Sequence, residues 1–230
     1  MPYTYPYPKP AVTVDCVVFG YAGSSALKVL LIQRKLSPFK GIWALPGGFV
    51  RMEESVDEAA RRELREETGV EGVFLEQLYT FGAVGRDPRD RVISIAYYAL
   101  IHLNSQILQA ASDASSAAWF ELASVGDIAF DHRQILDCAI ERLQNKIRYE
   151  PIGFELMPNR FTLSQLQQLY EQVLGRLVDK RNFRRKLLKM NLLIDTQEKE
   201  QGVSHRAAKL YCFDKQRYEQ LKQSGFNFEL

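Results

Sequence analysis

The spacing of apolar residues along the first 150 positions predicts a domain that alternates strands with helices. Two β-branched runs, Val12–Phe19 and Lys28–Gln33, are typical of buried strands, and the short turn between them predicts a hairpin. A Pro- and Gly-rich segment, Ser37–Phe49, is expected to be a loop because its Pro-Gly-Gly triplet does not continue a regular element. Further strands over 76–82, 91–103 and 118–122 and a helix over 131–146 complete the predicted α/β domain.

The segment between the glycine triplet and residue 69 has the clearest helix signals of the chain. Ser55 stands at an N-cap position, acidic residues follow in the first turn, and Gly69 stands where the helix would end. Glu63, Glu66 and Glu67 fall at i, i+3 and i+4, which places their carboxylates on one helix face. Such carboxylates repel one another unless a cation neutralises them, and Mg²⁺ or Mn²⁺ prefers oxygen ligands. The alternative is a solvated acidic surface, which is common on exposed helices.

From residue 151 the pattern changes to short helices followed by two strands. Thr162–Gln165 is a capping box, and it begins a helix that continues to about Leu174. Asp179 stands at the N-cap of a second helix, Lys180–Lys189, and strands are predicted over 192–196 and 208–213. This is the order of a winged helix-turn-helix. We therefore predict an α+β fold class, with one domain over 1–150 and a winged helix-turn-helix domain over 151–230.

The net charge of +2 conceals an uneven distribution of charged residues. Residues 1–150 carry 16 Lys and Arg against 19 Asp and Glu, a net charge of −3, whereas residues 151–230 carry 14 against 9, a net charge of +5. An acidic and a basic part suggest different partners. No apolar run approaches the ~18 residues of a membrane span, and the N-terminus lacks a signal-peptide pattern. We therefore expect no membrane partner. Because the three cysteines stand far apart, we also expect a chain without disulfides, in the cytoplasm.

The glutamates of the predicted helix belong to a longer pattern of fixed residues. After Gly48, five residues lead to Glu54 and seven more lead to Arg62-Glu63-Leu64, followed by Glu66-Glu67 and Gly69-Val70. This pattern resembles the Nudix box at every fixed position. The resemblance implies a Nudix α/β/α sandwich with a mixed sheet. It also implies a hydrolase that uses Mg²⁺, with Mn²⁺ as an alternative, to cleave a nucleoside diphosphate linked to another group.

The same resemblance implies roles for single residues. The metal ligands that it implies are Glu63, Glu66, Glu67 and the carbonyl of Gly47. The catalytic residues that it implies are Glu66, Glu63, Arg62 and Glu54, of which Arg62 and Glu54 pair to hold the loop on the helix. Bound metal would neutralise the pyrophosphate and lower the pKa of the attacking water. Glu66, or a carboxylate of a later loop such as Glu121 or Asp131, would take the proton of that water. The alternative for Glu121 and Asp131 is a turn or capping role.

A turn before the strand predicted over 91–103 carries three arginines that suit phosphate or ribose contacts. The alternative is a charged hairpin turn whose arginines pair with neighbouring aspartates. This run resembles that of ADP-ribose-directed Nudix proteins, which implies ADP-ribose as the substrate. Tyr79, Phe81 and Trp43 are candidates for stacking on adenine, although aromatic residues in strands more often belong to the core. The expected substrate-binding residues are Arg86, Arg89, Arg91, Phe81 and Gly48.

The helix predicted over 180–189 is strongly basic. Of the eleven residues over 179–189, six are Lys or Arg, and Phe183, Leu187 and Leu188 leave an apolar seam beneath the cationic face. Such a helix suits the DNA major groove, where cations take phosphates and Asn182 or an arginine reads base edges. The alternative is a solvated charged face. The expected DNA-binding residues are Lys180, Arg181, Asn182, Arg184, Arg185 and Lys186, with His205, Arg206 and Lys209 of the hairpin as further contacts.

Both parts together resemble the Nudix-related transcriptional regulators of NAD metabolism, the NrtR family, whose C-terminal signature is similar to Leu166–Glu171 and Lys180–Lys186. The resemblance implies a homodimer that binds operator DNA and releases it when ADP-ribose occupies the Nudix pocket. Because the box is complete, we expect a Mg²⁺-dependent ADP-ribose pyrophosphatase, which gives AMP and ribose 5-phosphate, fused to a DNA-binding winged helix. The alternatives are a repressor whose pocket only senses ADP-ribose, and an enzyme whose basic tail serves dimerisation.

Overall fold

The chain forms two compact units. The computed structural model describes residues 6–23, 26–103, 114–202, 206–226 and 228–229. The first unit lies within Met1–Phe19, Lys28–Ala99 and Gln106–Ala139, and the second within Gly20–Leu27, Leu100–Ser105 and Ile140–Leu230. The domain boundary after residue 150 stays a prediction. Within the described ranges, no helix has both the length and the apolar character needed to cross a membrane.

The first unit is built around a seven-stranded sheet. Its strands are β1 (Ala11–Tyr21), β2 (Lys28–Arg34), β3 (Trp43–Ala44), β4 (Gly47–Phe49), β5 (Glu76–Phe81), β6 (Val92–His102) and β7 (Ala114–Glu121). The strand order is β3-β2-β1-β6-β5, with β4 paired to β1 and β7 paired to β2. The side chains of Val14 and Cys16–Phe19 on β1 are completely buried, as the apolar run predicts.

The loop predicted over 37–49 contains two short strands, so this prediction was wrong for its second half. Strand β4 pairs antiparallel with β1, with Asp15 opposite Gly47 and Thr13 opposite Phe49. The missing N–H of Pro46 does not prevent the pairing, because Pro46 stands just before β4 and its carbonyl accepts a hydrogen bond of 2.8 Å from the Cys16 N–H. Tertiary pairing therefore overrides the local turn signal.

Helix α1 (Val56–Thr68) confirms the helix predicted from the capping residues. The Ser55 hydroxyl accepts from the Glu58 N–H, the Glu58 side chain accepts from the Ser55 N–H, and Gly69 ends the helix in the left-handed conformation with φ 74°. The helix buries Ala59 and Leu64, and it turns its glutamates towards β4. Helix α2 (His132–Tyr149) follows β7 and confirms the last helix predicted for this part.

The second unit has the helix order expected of a winged helix. Its elements are a 3-10 helix (Pro151–Leu156), α3 (Leu163–Leu174), α4 (Lys180–Lys189), β8 (Leu193–Lys199), β9 (Lys209–Phe213) and α5 (Lys215–Gln223). The Tyr170 ring on α3 packs edge-on against Phe183 on α4 at 5.2 Å, and β8 pairs with β9. Phe183 and Leu187 are buried, whereas Leu188 is 45% exposed, so the apolar seam is narrower than expected. Helix α5 was not predicted.

Candidate functional site

A cleft of about 340 Å³ opens in the first unit, where the glycine segment meets β1 and α1. Both carboxylates Glu63 and Glu67 line it, together with Gly47 and Gly48. Its other walls carry the cations of Arg34, Lys35, Arg51, Arg86 and Arg89. A cleft with acidic groups beside several guanidinium groups suits a phosphorylated ligand held with a metal ion.

The two glycines of the cleft are required by close approach rather than by an unusual φ. A Cβ at Gly47 would lie 2.1 Å from the carbonyl oxygen of Val14, and a Cβ at Gly48 would lie 2.5 Å from Oε1 of Glu63. The Gly47 N–H donates to Oε2 of Glu67 over 2.8 Å. The absence of side chains therefore lets β4 lie directly between β1 and the carboxylates of α1.

Arg62 ties the loop before α1 to the helix. Its Nε donates to Oε2 of Glu54 over 2.8 Å, its Nη2 donates to Oε1 of Glu54 over 2.6 Å, and its Nη2 also donates to the carbonyl of Phe49 over 3.1 Å. Its Nη1 donates to Oε1 of Glu63 over 2.6 Å. The Arg62 guanidinium holds the pKa of Glu54 at about 2. Arg62 and Glu54 therefore shape the site from behind the cleft.

The three glutamates on the acidic face of α1, Glu63, Glu66 and Glu67, differ in burial. Glu67 is 6% exposed, and the side chains of Glu63 and Glu66 are 14% and 31% exposed. Burial raises the pKa of Glu67 to about 8, with a further contribution from the charge of Glu63, and burial also raises the pKa of Glu63. Glu66 does not line the cleft, and its Oε2 lies 3.3 Å from Nη1 of Arg62 and 3.6 Å from Nη2 of Arg51.

A divalent cation fits the chemistry of this donor set. A cation would favour the charged form of the buried Glu67 and Glu63, and the carbonyl of Gly47, which also lines the cleft, would add a third hard oxygen. Among the residues that the structure describes, no three His, Cys, Asp or Glu side chains are already gathered as a metal-binding group. The reason is visible in the bonds, because Glu63 and Glu66 are turned to Arg62 and Glu67 is turned to the Gly47 amide.

Arg86, which lines the cleft, belongs to a buried ion-pair network. Its Nε and Nη2 donate to the two carboxylate oxygens of Asp131 over 2.9 and 2.7 Å, and its Nη2 donates to Oδ2 of Asp15 over 3.3 Å. The Arg86 side chain is 4% exposed. Both donor nitrogens face protein carboxylates, so Arg86 supports the cleft wall more than it faces a ligand. Asp131, a candidate base, is engaged by the same guanidinium.

Arg89 belongs to an aromatic part of the cleft that the sequence did not indicate. Its guanidinium pairs with Asp87 at 2.7 Å and lies 5.2 Å from the ring centre of Phe49 and 5.3 Å from that of Phe130. Arg34 lies over Phe130 at 4.7 Å. These guanidinium and aromatic faces stabilise one another. They give the cleft a flat wall beside its cations.

Several residues proposed from sequence lie elsewhere in the described part of the chain. Arg91 does not line the cleft, and its Nη1 donates to the carbonyl of Val92 over 3.2 Å. Phe81 packs edge-on against Tyr79 at 5.6 Å, and Trp43 packs against Phe120 at 4.7 Å. None of these aromatic residues lines the cleft. Glu121, at the end of β7, does not line it either.

Several cleft residues outside the box were missed, among them Arg34, Phe130, Thr13, Asp15 and His132, and two of these had a signal in the sequence. Thr13 and Asp15 are polar at alternate positions of an otherwise apolar strand, which indicates a site on one face of β1. His132 begins α2 and also lines the cleft. Nothing local in the sequence distinguishes His132 from an ordinary helix residue, because its partners come from distant segments.

Helix α4 presents most of its predicted DNA-binding side chains to solvent. Lys180, Arg181, Asn182 and Arg185 are exposed, and Nη2 of Arg185 donates to Oδ1 of Asn182 over 2.7 Å. Arg184 differs, because its Nη2 donates to the Ser164 hydroxyl of α3 over 2.8 Å, and its Nε is buried without a hydrogen-bond partner in the described part of the chain. The half-buried Lys186 completes the set.

The structure describes two of the three hairpin residues proposed as further DNA contacts. Lys209 pairs with Asp195 at 2.7 Å on the surface of the hairpin. Arg206 is exposed. His205 lies outside the described residues.

Family models match both parts of the chain. The model of the NUDIX domain matches residues 9–138, and the model of the NrtR DNA-binding winged helix domain matches residues 153–213. The chain is also similar over 225 residues to the "ADPR responsive transcriptional repressor NtrR" of Acinetobacter baylyi, with 39% identity over 96% of this chain and 87% of that protein. The chain belongs to the NrtR family. The predicted fold class, a Nudix domain with a mixed sheet followed by a winged helix, is thereby confirmed.

Two further relatives of this NrtR-family chain bear on its two halves. The crystal structure of Shewanella oneidensis NrtR complexed with a 27mer DNA matches with a TM-score of 0.74 and 35% identity, and covers 94% of this chain and 97% of that chain. The ADP-ribose pyrophosphatase of Methanocaldococcus jannaschii is 42% identical over 130 residues, which cover 56% of this chain and 73% of that enzyme. The relatives thus include a regulator over the full length and an enzyme over the Nudix domain.

Proposed function

We propose that this protein is a transcriptional repressor that binds operator DNA through its winged helix and releases the DNA when ADP-ribose binds in the cleft. The observation that carries this proposal is the similarity to an ADPR-responsive repressor over 96% of the chain, which includes both units. The complete box, taken by itself, favours hydrolysis. The full-length relatives support the regulator better than the enzyme.

The cleft has the chemistry that ADP-ribose requires. Arg34, Arg51 and Arg89 offer guanidinium groups to a diphosphate, and the rings of Phe49 and Phe130 offer apolar faces to a base or a sugar. Of the substrate-binding set inferred from sequence, we keep Arg89 and the backbone of Gly48 as direct contacts. Arg86 would act by supporting the wall.

Helix α4 supplies the DNA contacts in this proposal. Its exposed cations Lys180, Arg181 and Arg185 would neutralise phosphates, and Asn182 would reach base edges. Arg184 is assigned a mixed role, because its bond to Ser164 fixes α4 against the start of α3. The homodimer and the cytoplasmic location stay predictions.

Hydrolysis of ADP-ribose is the second candidate function. The specific observation in its favour is that every fixed box position is present and that the chain is similar to an ADP-ribose pyrophosphatase over the Nudix domain. Glu63, Glu67 and the carbonyl of Gly47 would hold Mg²⁺, with Glu66 joining them after release from Arg62. Bound Mg²⁺ would neutralise the diphosphate and lower the pKa of a water. Glu66 is the proposed base.

Two assays test the proposals separately. In a gel shift with the upstream region of its own gene, we expect retardation that ADP-ribose reverses; retardation that ADP-ribose leaves unchanged would contradict the sensor, and no retardation at low salt would contradict the repressor. With ADP-ribose, Mg²⁺ and phosphatase, phosphate release that is lost in Glu67→Gln would establish hydrolysis. No release by the wild-type protein would limit the cleft to binding.

A further inference from the structure

His132 connects helix α2 to the glycine segment of the cleft. It is the first residue of α2, it is 5% exposed, and it lines the cleft. The Leu45 N–H donates to its Nδ1 over 2.9 Å. On the other side of the ring, Nε2 lies 3.3 Å from Oδ1 of Asp15. One imidazole therefore joins two segments that are far apart in the sequence.

These contacts determine which ring nitrogen of His132 carries the proton. Nδ1 accepts from the Leu45 amide, so Nδ1 carries no proton and the proton of the neutral ring lies on Nε2, facing Asp15. Burial lowers the pKa of His132, although the charges of Asp15 and Asp131 oppose this effect. Asp15 is itself held by the Ser94 hydroxyl and by Arg86. A chain of buried bonds through Asp15 thus fixes the orientation of the ring, which keeps Nδ1 in place as the acceptor for the Leu45 N–H.

The backbone donors of 45–47 are few, and each of them is taken. Pro46 has no N–H, so this segment offers only the N–H groups of Leu45 and Gly47. The Gly47 N–H donates to Glu67 of the box, and the Leu45 N–H donates to His132. Leu45 is 1% exposed, so water does not replace this bond. Besides the pairing of β4 with β1, the geometry of Gly47 thus depends on one side chain of the box and on one outside it.

We propose that His132, oriented by Asp15, is a positioning residue that fixes 45–47 against Glu67 and so holds the Gly47 carbonyl in place for a metal ion and a nucleotide diphosphate. This inference rests on the proposed binding of ADP-ribose with a divalent ion in the cleft. His132 touches neither ligand in this role. It acts through the Leu45 amide, as outer groups act on the ligands of other metal sites.

The first experiment removes and then restores the acceptor. His132→Leu fills similar space without an acceptor, whereas the Oδ1 of His132→Asn can lie where Nδ1 lies. We expect His132→Leu to weaken Mn²⁺ binding, followed by electron paramagnetic resonance, and Mg²⁺-dependent ADP-ribose binding, followed by calorimetry, by about 10- to 100-fold. His132→Asn should recover most of the loss. His102→Leu, outside the cleft, is the matched control and should bind as the wild type does.

The second experiment does not depend on ligand binding by any variant. The ring nitrogens of the folded wild-type protein, labelled with ¹⁵N, should show His132 at neutral pH as the uncharged tautomer protonated at Nε2. Only three histidines are present, so the signals missing in His132→Asn assign this residue. An imidazolium, or a tautomer protonated at Nδ1, would overturn the inference even if His132→Leu does not fold.

The outcomes separate this inference from the proposed function. If the wild-type protein does not bind ADP-ribose, the proposed function fails, and Mn²⁺ binding by the variants still decides the role of His132. If the wild type binds both ligands and His132→Leu binds them equally well, the positioning role is wrong and the proposed function stands. A loss of binding that His132→Asn does not restore would also contradict the role of the acceptor.

Discussion

Replacing Arg86 by methionine should destabilise the first unit strongly. Methionine keeps much of the volume of the side chain but removes the guanidinium that lies between Asp15 and Asp131. The Arg86 side chain is 4% exposed, and those of the two carboxylates are 7% and 10% exposed. The change therefore leaves two buried carboxylates without their cation.

The magnitude follows from the burial of the partners. Removing one member of a buried ion pair costs about 3 to 5 kcal/mol of unfolding free energy, because the remaining charge is left uncompensated. The bidentate geometry to Asp131, with bonds of 2.9 and 2.7 Å, places Arg86→Met at the upper part of that range. Adding Asp131→Asn should recover part of the loss, since one of the stranded charges is then absent.

Urea unfolding followed by tryptophan fluorescence measures this loss in the relevant unit. Both tryptophans, Trp43 and Trp119, lie in the first unit, so their emission reports its unfolding. Arg91→Met is the matched control, because Arg91 is exposed and its change should stay within about 0.5 kcal/mol. A loss below about 1 kcal/mol for Arg86→Met, together with lost ADP-ribose binding, would refute the structural role and restore the ligand contact expected from sequence.

Three further predictions concern the cleft and helix α4. In metal-free protein, the pKa of Glu67 is about 8 in the folded state and near 4.5 in the unfolded state. The stabilisation that protonated Glu67 gives the folded state is thus complete below pH 4.5 and is lost as the pH rises through 8. In urea unfolding with EDTA, the unfolding free energy of Glu67→Gln should therefore fall less steeply over this pH range than that of the wild type. Thr13→Val should not destabilise the protein in thermal unfolding, because the buried Thr13 hydroxyl has no hydrogen-bond partner among the residues that the structure describes; a loss above about 1 kcal/mol would indicate a bond that the geometry does not contain. Arg181→Ala should weaken operator binding and reduce the slope of log K against log salt by about 0.9, since the proposal assigns one phosphate contact to the exposed Arg181; an unchanged slope in titrations at several salt concentrations would exclude that contact.

Local signals account for the elements that the sequence predicted correctly. The caps of α1 at Ser55 and Gly69 and the capping box of α3 at Thr162 satisfy backbone groups within a few residues, so their pattern is visible in one short segment. The spacing of the box glutamates is equally local. Helix α5 was missed because none of its residues is buried, and it therefore lacks the apolar periodicity by which helices are recognised.

The roles of the arginines required long-range information. Arg86, Arg89 and Arg91 stand in one short turn and were assigned one role, yet the fold gives each a different environment. Arg86 meets Asp15 and Asp131 from distant segments, Arg89 lies between two aromatic rings, and Arg91 stays at the surface. A turn sequence contains no information about which distant carboxylates will lie beneath it.

By itself, the sequence determined the two-part organisation, the family and the acidic face of α1, because fixed residues at fixed spacing on one helix need no partner to be recognised. Only the tertiary structure decided that His132 holds the Leu45 amide and that Phe49 and Phe130 form a cleft wall. It also decided that β4 forms at a Pro-Gly-Gly triplet. The physical reason is the same in each case: these contacts join residues that are distant along the chain, and their stability comes from burial and hydrogen bonds that exist only after the sheet and helices have packed.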